Sequence, residues 1–372
     1  MNFSHLVAYA SVGKIVAEYY EVSGSSVDLI PMVSFSLGLP FGLLAIYLVE
    51  RRGLRLGLML ASSLIAGGEV LCCLATLPGL WGGELWWSKH TAFTLTVLGQ
   101  ASTGISRMFI SCLPTKVSQN WFSEKERSLA TLVLSMASPL GLVVGQLLSP
   151  HLITRPSELP LLNTVWVLPA LAGLLLTLLG VRSSLPPCPP SHSAALARTA
   201  SKPPFLGTIR QLATNKPFIV MFLILGGAMG YMLTLQTKLE QILCSRGYSD
   251  TMAGLSAALI IIAGFIASFP LGYLSMRSGK LILISKVTSL LLALTLGLTL
   301  WMFVQPAQEV GLLATCVLLG IFSLGIYPVM LELSVEATYP LDQGVVSGLI
   351  NLSNFLQVSL HCAVSTSYKS YM

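Results

Sequence analysis

The sequence predicts an all-α membrane protein built as two helical lobes. About ten stretches of the 372-residue chain are long and apolar enough to cross a bilayer as helices. Hydrophobic residues make up 54% of the chain, charged residues make up 10%, and the mean hydropathy is +0.78. A polar, proline-rich connector divides these stretches into two equal groups.

Short polar breaks separate the predicted spans and mark the ends of the membrane-crossing helices. In the first group the spans cover 28–49, 54–78, 91–118, 129–153 and 162–181. In the second group they cover 218–237, 251–276, 281–304, 310–335 and 344–364. Because soluble domains carry about 25% charged residues, this composition excludes a soluble enzyme.

The spans also lack the motifs of a membrane enzyme. Neither His-Glu-x-x-His nor Gly-x-Ser-x-Gly occurs in them. The cysteines have no metal-ligand spacing, and most lie in apolar stretches where a thiol acts as a small hydrophobic group. We therefore predict no catalytic activity, no metal site and no cofactor.

Basic residues indicate which loops face the cytoplasm, because short cytoplasmic loops carry an excess of Lys and Arg. They concentrate in or beside the loops at 51–55, 119–127, 182–216 and 277–280. The net charge of +6 is thus a signal of topology. No solvated basic domain is present, so nucleic acid is not an expected partner.

The chain divides into an N-terminal helical lobe at 1–182, a cytoplasmic linker at 183–216 and an incomplete C-terminal helical lobe at 217–372. The linker is rich in Pro and Ser with scattered basic residues, which is typical of an exposed connection rather than a packed element. Such a connection lets two lobes rock against each other.

An internal repeat relates the two halves. The pattern Y-L-x-x-R-x-G ends a span at 47–53 and again at 273–279. Both copies lie on the predicted cytoplasmic side, as parallel repeats about an axis along the membrane normal require.

The first copy of this repeat resembles a known loop. Residues 50–55 read E-R-R-G-L-R, which is similar to the acid-x-x-Gly-x-Arg loop of the major facilitator superfamily, with Glu in the usual Asp position. The resemblance implies that Glu50 pairs with Arg at a helix end in one of two lobe arrangements. Met276 stands at the corresponding acidic position of the second copy, so only the first half makes that contact.

Further segments resemble solute carrier family 49, the relatives of the feline leukaemia virus subgroup C receptor. They read L-P-T-K at 113–116, N-W-F at 120–122, P-L-G at 139–141, L-E-Q-I-L-C at 239–244 and E-L-S-V-E at 332–336. The resemblance covers nearly the whole chain and implies a two-lobe helical bundle of the major facilitator superfamily. It also implies secondary-active transport of a small organic solute by alternating access, with choline or ethanolamine-type cations and haem as candidates.

The chain departs from this family in two respects. The choline cage of such relatives is not reproduced, because Leu233 takes the aromatic position on helix seven, and Pro139 and Phe355 take the Gln positions on helices five and eleven. Residues 5–21 resemble only the second half of helix one, and helix twelve is missing. A truncated bundle is therefore expected, and a non-transporting isoform with a regulatory or partner-binding role is the alternative.

Ionisable and polar residues inside the spans are candidates for the substrate cavity, because burying them in a membrane is costly. Glu69 suggests proton coupling or cation binding, or else a buried helix–helix hydrogen bond. Arg107 suggests an anion-neutralising charge, or else a pair with Glu69. The full set of cavity candidates is Glu69, Gln100, Arg107, Tyr231, Gln236 and Asn354.

A second set of residues is predicted to act as a conformational gate at the cytoplasmic side. Glu332 and Glu336 are four residues apart on one helical face opposite the basic loops, which favours ion pairs between the lobes over a direct substrate role. The full set of gate candidates is Glu50, Arg51, Arg52, Gly53, Arg55, Arg277, Gly279, Glu332 and Glu336.

The expected partners are the lipid bilayer and a small-molecule solute, together with a coupling ion. We expect a monomer, and the family resemblance favours the plasma membrane over the lysosome.

Overall fold

The computed structural model of the protein describes residues 8, 9, 11–77, 87–191, 195, 204–305, 308–339 and 341–371. Within these ranges, the side chains of 25, 124, 125, 240, 241, 250, 251, 276 and 362–371 are not described. The secondary structure of the described residues is helical, with no strand among them.

The helices of the first half are α1 Gly13–Tyr20, α2 Gly24–Val27, α3 Leu29–Arg52, α4 Leu54–Thr76, α5 Lys89–Trp121, α6 Glu124–Leu152 and α7 Leu159–Gly180. A 3₁₀ turn at Pro156–Glu158 precedes α7. Those of the second half are α8 Phe205–Thr214, α9 Lys216–Ser245, α10 Asp250–Ser278, α11 Leu281–Val304, α12 Glu309–Ala337 and α13 Gln343–Tyr371. We call α1–α7 the first lobe and α9–α13 the second lobe.

Several helices begin at a residue whose side chain caps the first turn. Ser88, Asn215 and Ser249 accept hydrogen bonds from the backbone N–H groups of the third following residues, at 3.2, 3.1 and 3.2 Å. These bonds satisfy N–H groups that have no partner within their own helix. The two repeat copies end their spans at glycines with positive φ, Gly53 at 91° and Gly279 at 63°.

In the described ranges, ten long helices lie at the ten predicted spans, which confirms the all-α membrane fold. Eight helical segments in the described part of the chain are long and apolar enough to cross a membrane. The two long helices outside that set, α5 and α13, carry many buried polar residues, Arg107 and Asn354 among them. Both helices pack against several others, so protein rather than lipid surrounds these polar groups.

Close helix crossings within each lobe depend on glycine. A Cβ at Gly68 on α4 would lie 2.5 Å from the carbonyl oxygen of Gly99 on α5, and a Cβ at Gly320 on α12 would lie 2.0 Å from that of Ile260 on α10. Small residues let helix backbones approach in a membrane, where packing rather than hydrophobic burial drives association.

Two seams join the lobes. Along one seam α13 packs against α3 and α5, and along the other α6 packs against α10 and α12. A third connection runs through the linker, where the structure differs from the predicted exposed connection. Residues Phe205–Thr214 form α8, which buries Leu212 in the second lobe, while the Phe205 ring packs edge-on to Tyr47 of α3 at 5.4 Å. The apolar residues of α8 recur at helical spacing, and the neighbouring Pro and Ser residues concealed that pattern.

Candidate functional site

A central cavity of about 100 Å³ lies between the lobes. α5 and α6 form its wall in the first lobe, and α9, α10, α12 and α13 form its wall in the second. Sulfur, aromatic and aliphatic side chains supply most of the surface, and a few amides and hydroxyls interrupt it. The polar side chains are those of Ser111, Ser135, Ser138, Gln236, Tyr327, Asn351 and Asn354.

Asn351 organises the polar groups at one side of this cavity. Its Oδ1 accepts hydrogen bonds from the Tyr327 hydroxyl at 3.1 Å and from Asn354 Nδ2 at 3.3 Å. Its own Nδ2 donates to the carbonyl oxygen of Ser111 on α5 at 3.0 Å. One amide therefore positions two cavity residues of the second lobe and ties them to the first lobe.

A larger vestibule of about 510 Å³ lies between the lobes at the far ends of α6 and α9. Lys14 and His151 line it together with apolar residues of α10 such as Leu255. Gln146 of α6 also lines the vestibule, and its Nε2 donates to Gln236 Oε1 at 3.4 Å. Because Gln236 lines both spaces, this amide pair lies where the vestibule meets the central cavity.

Polar contacts between the lobes close one end of the bundle, which we call the basic end because the Arg- and Lys-rich loops lie there. Lys116 Nζ of α5 forms an ion pair with Asp342 Oδ2 at 2.5 Å, and their side chains are 8% and 20% exposed. The hydroxyls of Thr115 and Ser347 are 2.6 Å apart. Asp342 also caps α13, since its Oδ1 accepts from the Gly344 N–H at 2.8 Å.

A second ion pair joins the lobes at the opposite end. Lys238 Nζ on α9 lies 2.7 Å from Asp28 Oδ1 at the start of α3, and the two side chains are 9% and 10% exposed. Among the described residues, a largely buried ion pair thus joins the lobes at each end of the bundle, with the central cavity between these two pairs. By contrast, the ion pair of Lys89 with Glu21 joins two exposed side chains of the first lobe.

Two of the six predicted cavity residues, Gln236 and Asn354, line the central cavity. Tyr231 is half-buried against the hydrophobic core of the second lobe. The remaining three, Glu69, Gln100 and Arg107, are each no more than 2% exposed inside the first lobe, and none lines the central cavity or the vestibule.

Glu69 lies within the range at which its charge acts on the Arg107 guanidinium, and a pair between them stays a prediction. The guanidinium carbon of Arg107 also lies 5.6 Å from the centre of the Phe35 ring, a cation–π distance. Gln100 contributes its carbonyl oxygen, which accepts from the Ser34 hydroxyl at 2.8 Å. These contacts join α3, α4 and α5 within one lobe.

The gate candidates of the first repeat copy lie at the junction of α3 and α4. Glu50 is buried, whereas Arg51 and Arg52 are exposed. Gly53 turns the chain between the helices, and a Cβ there would lie 2.8 Å from Ser184 Oγ. The Arg55 N–H donates to that same oxygen at 3.1 Å, so the loop contacts the beginning of the linker.

In the second lobe the gate candidates differ in their contacts. Arg277 is exposed and Gly279 ends α10. Glu332 is half-buried and its Oε1 accepts from the Ser128 hydroxyl of α6 at 2.7 Å, across the seam between the lobes. Glu336 is exposed.

The sequence reasoning missed both ion pairs between the lobes. Lys116 entered the sequence analysis only as a basic residue beside a loop and as part of the L-P-T-K segment of the family resemblance, and none of Lys116, Asp28, Lys238 and Asp342 was predicted as a site residue. The available signal was position: each of these charges adjoins the end of an apolar span, and Asp342 stands immediately before the first residue of α13. An acid at the start of a span can cap the helix, and this role would have marked Asp342 as a structural residue.

Nothing in the described part of the chain resembles a metal centre, since no group of three or more His, Cys, Asp or Glu side chains there is placed to hold an ion.

Comparison with known proteins gives the same fold. Residues 2–360 match the family described as Major Facilitator Superfamily. The solved structure of the proton:xylose symporter XylE bound to 6-bromo-6-deoxy-D-glucose aligns with a TM-score of 0.71 at 13% identity, covering 100% of this chain and 86% of that one.

Relatives identified by sequence have higher identities to this chain than XylE has. Solute carrier family 49 member A3 of Xenopus tropicalis is 32% identical over 352 residues, which cover 94% of this chain and 71% of that protein. The choline/ethanolamine transporter FLVCR2 of Homo sapiens is 27% identical over 363 residues, covering 95% and 66%. This protein is therefore a multi-pass membrane transporter rather than an enzyme, and it belongs to the major facilitator superfamily and, within it, to solute carrier family 49.

Proposed function

We propose that this protein is a secondary-active transporter that carries a small organic solute across the plasma membrane by alternating access. The observation that carries the proposal is the central cavity between the lobes, with an ion pair joining the lobes at either end. Binding between two lobes that then rock around the site is the working principle of such folds.

The size and lining of the cavity support a small amphipathic solute. Its volume of about 100 Å³ and its mixture of Met, aromatic and amide side chains suit a compact molecule with an apolar part and a polar part. Several relatives are named choline/ethanolamine transporters. We infer that an amino alcohol of this size is the solute.

The two ion pairs support alternation because opening either end requires breaking the pair at that end. If the basic end faces the cytoplasm, separating Lys116 from Asp342 opens the cavity inward, and separating Lys238 from Asp28 opens it outward. Leaving one partner of a largely buried pair without its counter-charge is costly, so each pair holds its own end closed.

Cysteine labelling tests this mechanism without knowledge of the solute. Ser347→Cys reports opening at the basic end, and Leu255→Cys reports access to the vestibule. The background carries Cys73→Ser, Cys188→Ser and Cys244→Ser, because these three side chains are not buried. We expect Asp342→Asn to speed labelling at 347 and slow it at 255, and Asp28→Asn to do the reverse.

The matched control is Glu21→Gln, which removes an exposed ion pair within the first lobe. It should leave both labelling rates unchanged. Equal changes of the same sign at both reporters would indicate loosening of the whole bundle and would contradict alternating access.

A further inference from the structure

We propose that the central site selects solutes that carry N–H or O–H donors, so that a primary or secondary amino alcohol binds in preference to its quaternary analogue. This inference rests on the proposed transport function and specifies its substrate. The observation behind it is a set of buried acceptor oxygens at the cavity and at its junction with the vestibule.

Three side-chain oxygens form this set, and none has a hydrogen-bond partner among the described residues. They are Ser135 Oγ, Gln146 Oε1 and Asn354 Oδ1. The residues are 7%, 7% and 6% exposed. A buried polar atom without a partner carries a desolvation penalty, which a ligand that supplies a donor removes.

The amide orientations follow from the donors that are already used. Asn354 Nδ2 donates to Asn351 Oδ1 at 3.3 Å, and Gln146 Nε2 donates to Gln236 Oε1 at 3.4 Å. Gln236 Nε2 in turn donates to the carbonyl oxygen of Ala257 at 3.4 Å. Each of these amides bonds through one N–H, while the oxygens of Asn354 and Gln146 remain available to accept a hydrogen bond from a solute.

Charge recognition does not compete with this selection inside the cavity. No ionisable Asp, Glu, Lys, Arg or His side chain occurs among the described residues that line the central cavity. An ammonium group that hydrogen-bonds in the cavity therefore bonds to neutral oxygens rather than to a carboxylate. Met229, Met232 and Phe355 leave an apolar wall for the carbon skeleton.

The acceptors belong to both lobes, which connects recognition with transport. Ser135 and Gln146 lie on α6 of the first lobe, and Asn354 lies on α13 of the second. A solute with several donors can bond to both lobes at once, whereas a trimethylammonium group has no N–H to offer and leaves at least one oxygen unmet.

The test is a binding series on the purified full chain, in which ethanolamine is methylated stepwise to N-methylethanolamine, N,N-dimethylethanolamine and choline. The hydroxyl is constant through the series, so only the N–H donors change. We expect each compound to bind more weakly than the one before, and choline to bind about 5- to 150-fold more weakly than ethanolamine, the factor that an unsatisfied buried acceptor is worth.

Two variants remove acceptors separately. Asn354→Leu and Ser135→Ala should each bring the ethanolamine-to-choline affinity ratio closer to one, and using both guards against loss of folding in either. Ser62→Ala is the control, because the Ser62 hydroxyl bonds only to carbonyls of its own helix. It should keep the ratio of the unmodified protein.

An affinity ratio near one, or a ratio that neither acceptor variant changes, would overturn the proposal. Absence of binding by every member of the series would also overturn it. Even if no compound of the series binds, cysteine labelling at 255 and 347 still tests alternating access. Failure of the selectivity proposal can therefore be told apart from failure of the transport proposal.

Discussion

Removal of the Asp342 charge gives a quantitative prediction about the closed basic end. Asp342→Asn keeps an oxygen that can accept the Gly344 N–H, so the cap of α13 survives while the ion pair is lost. Lys116, whose side chain is only 8% exposed, then lacks its counter-charge. Breaking a fully buried pair costs about 3–5 kcal/mol, and the 20% exposure of Asp342 lowers our expectation to about 2–3 kcal/mol.

That free energy sets the size of the measured effect. At 1.4 kcal/mol for each factor of ten, the equilibrium shifts about 30- to 150-fold away from the closed basic end. Labelling of Ser347→Cys, measured as an initial rate, should rise by a factor in that range. Asp342→Ala should exceed it, because it also removes the cap, which is worth about 1 kcal/mol.

A double-mutant cycle provides the decisive comparison. Lys116→Met leaves the more exposed Asp342 charge unpaired, so it should increase labelling less than Asp342→Asn does. The double variant of Lys116→Met with Asp342→Asn has no charge at this place, and its rate should return toward that of the unmodified protein. A double variant that reacts as fast as Asp342→Asn alone would refute the reasoning, because the buried, unpaired ammonium would then not be the cause.

Three further predictions concern stability, each measured as a shift of the melting temperature in detergent. Gly320→Ala should prevent folding or lower the melting temperature strongly because its Cβ would lie 2.0 Å from a backbone oxygen of α10, while Gly297→Ala, with nothing within 4 Å, should be neutral or stabilising. Gly53→Ala should be more destabilising than Gly279→Ala, since only the Gly53 position combines a positive φ with a close neighbour; equal shifts would contradict this asymmetry. Asn163→Leu removes bonds to Tyr9, the Cys72 carbonyl and Thr76, and should cost about 2–4 kcal/mol at about 1 kcal/mol per bond, whereas Thr177→Ala, which loses one bond within its own helix, should cost less.

The fold was predictable because hydropathy marks which segments cross the membrane. The span predicted at 281–304 coincides with α11, and the span predicted at 54–78 ends within two residues of α4. Boundaries at the loops agree less well: α9 continues to Ser245, beyond the predicted end at 237. The last turns of α9 carry polar residues. Hydropathy detects only the apolar part of a helix, so it missed these turns.

The site was less predictable because hydropathy does not say which helix faces meet. Asn354 and Gln236 were singled out as polar residues in spans, and they reach the cavity. Glu69 was singled out by the same argument, yet it lies in the interior of one lobe with Arg107 nearby. The cost of burying a charge is the same at a substrate site and at a helix–helix contact, so burial cost alone cannot separate the two.

The partners Lys116 and Asp342 are 226 residues apart in the chain. Their meeting depends on how α5 and α13 cross, and a single sequence does not encode that crossing in any local pattern. The repeat at 47–53 and 273–279 indicated the symmetry of the lobes, but not the register between them.

Helix α8 is a place at which a ligand could act on both lobes without entering the central cavity. The Phe205 ring packs on Tyr47 of the first lobe, and Leu212 is buried in a hydrophobic cluster formed mainly by the second lobe, so α8 contacts both lobes. If the lobes rock as proposed, an antibody fragment or macrocycle that holds α8 against α3 would fix the angle between the lobes and stop transport. Such an inhibitor would be non-competitive, and an increase in solute concentration would not displace it.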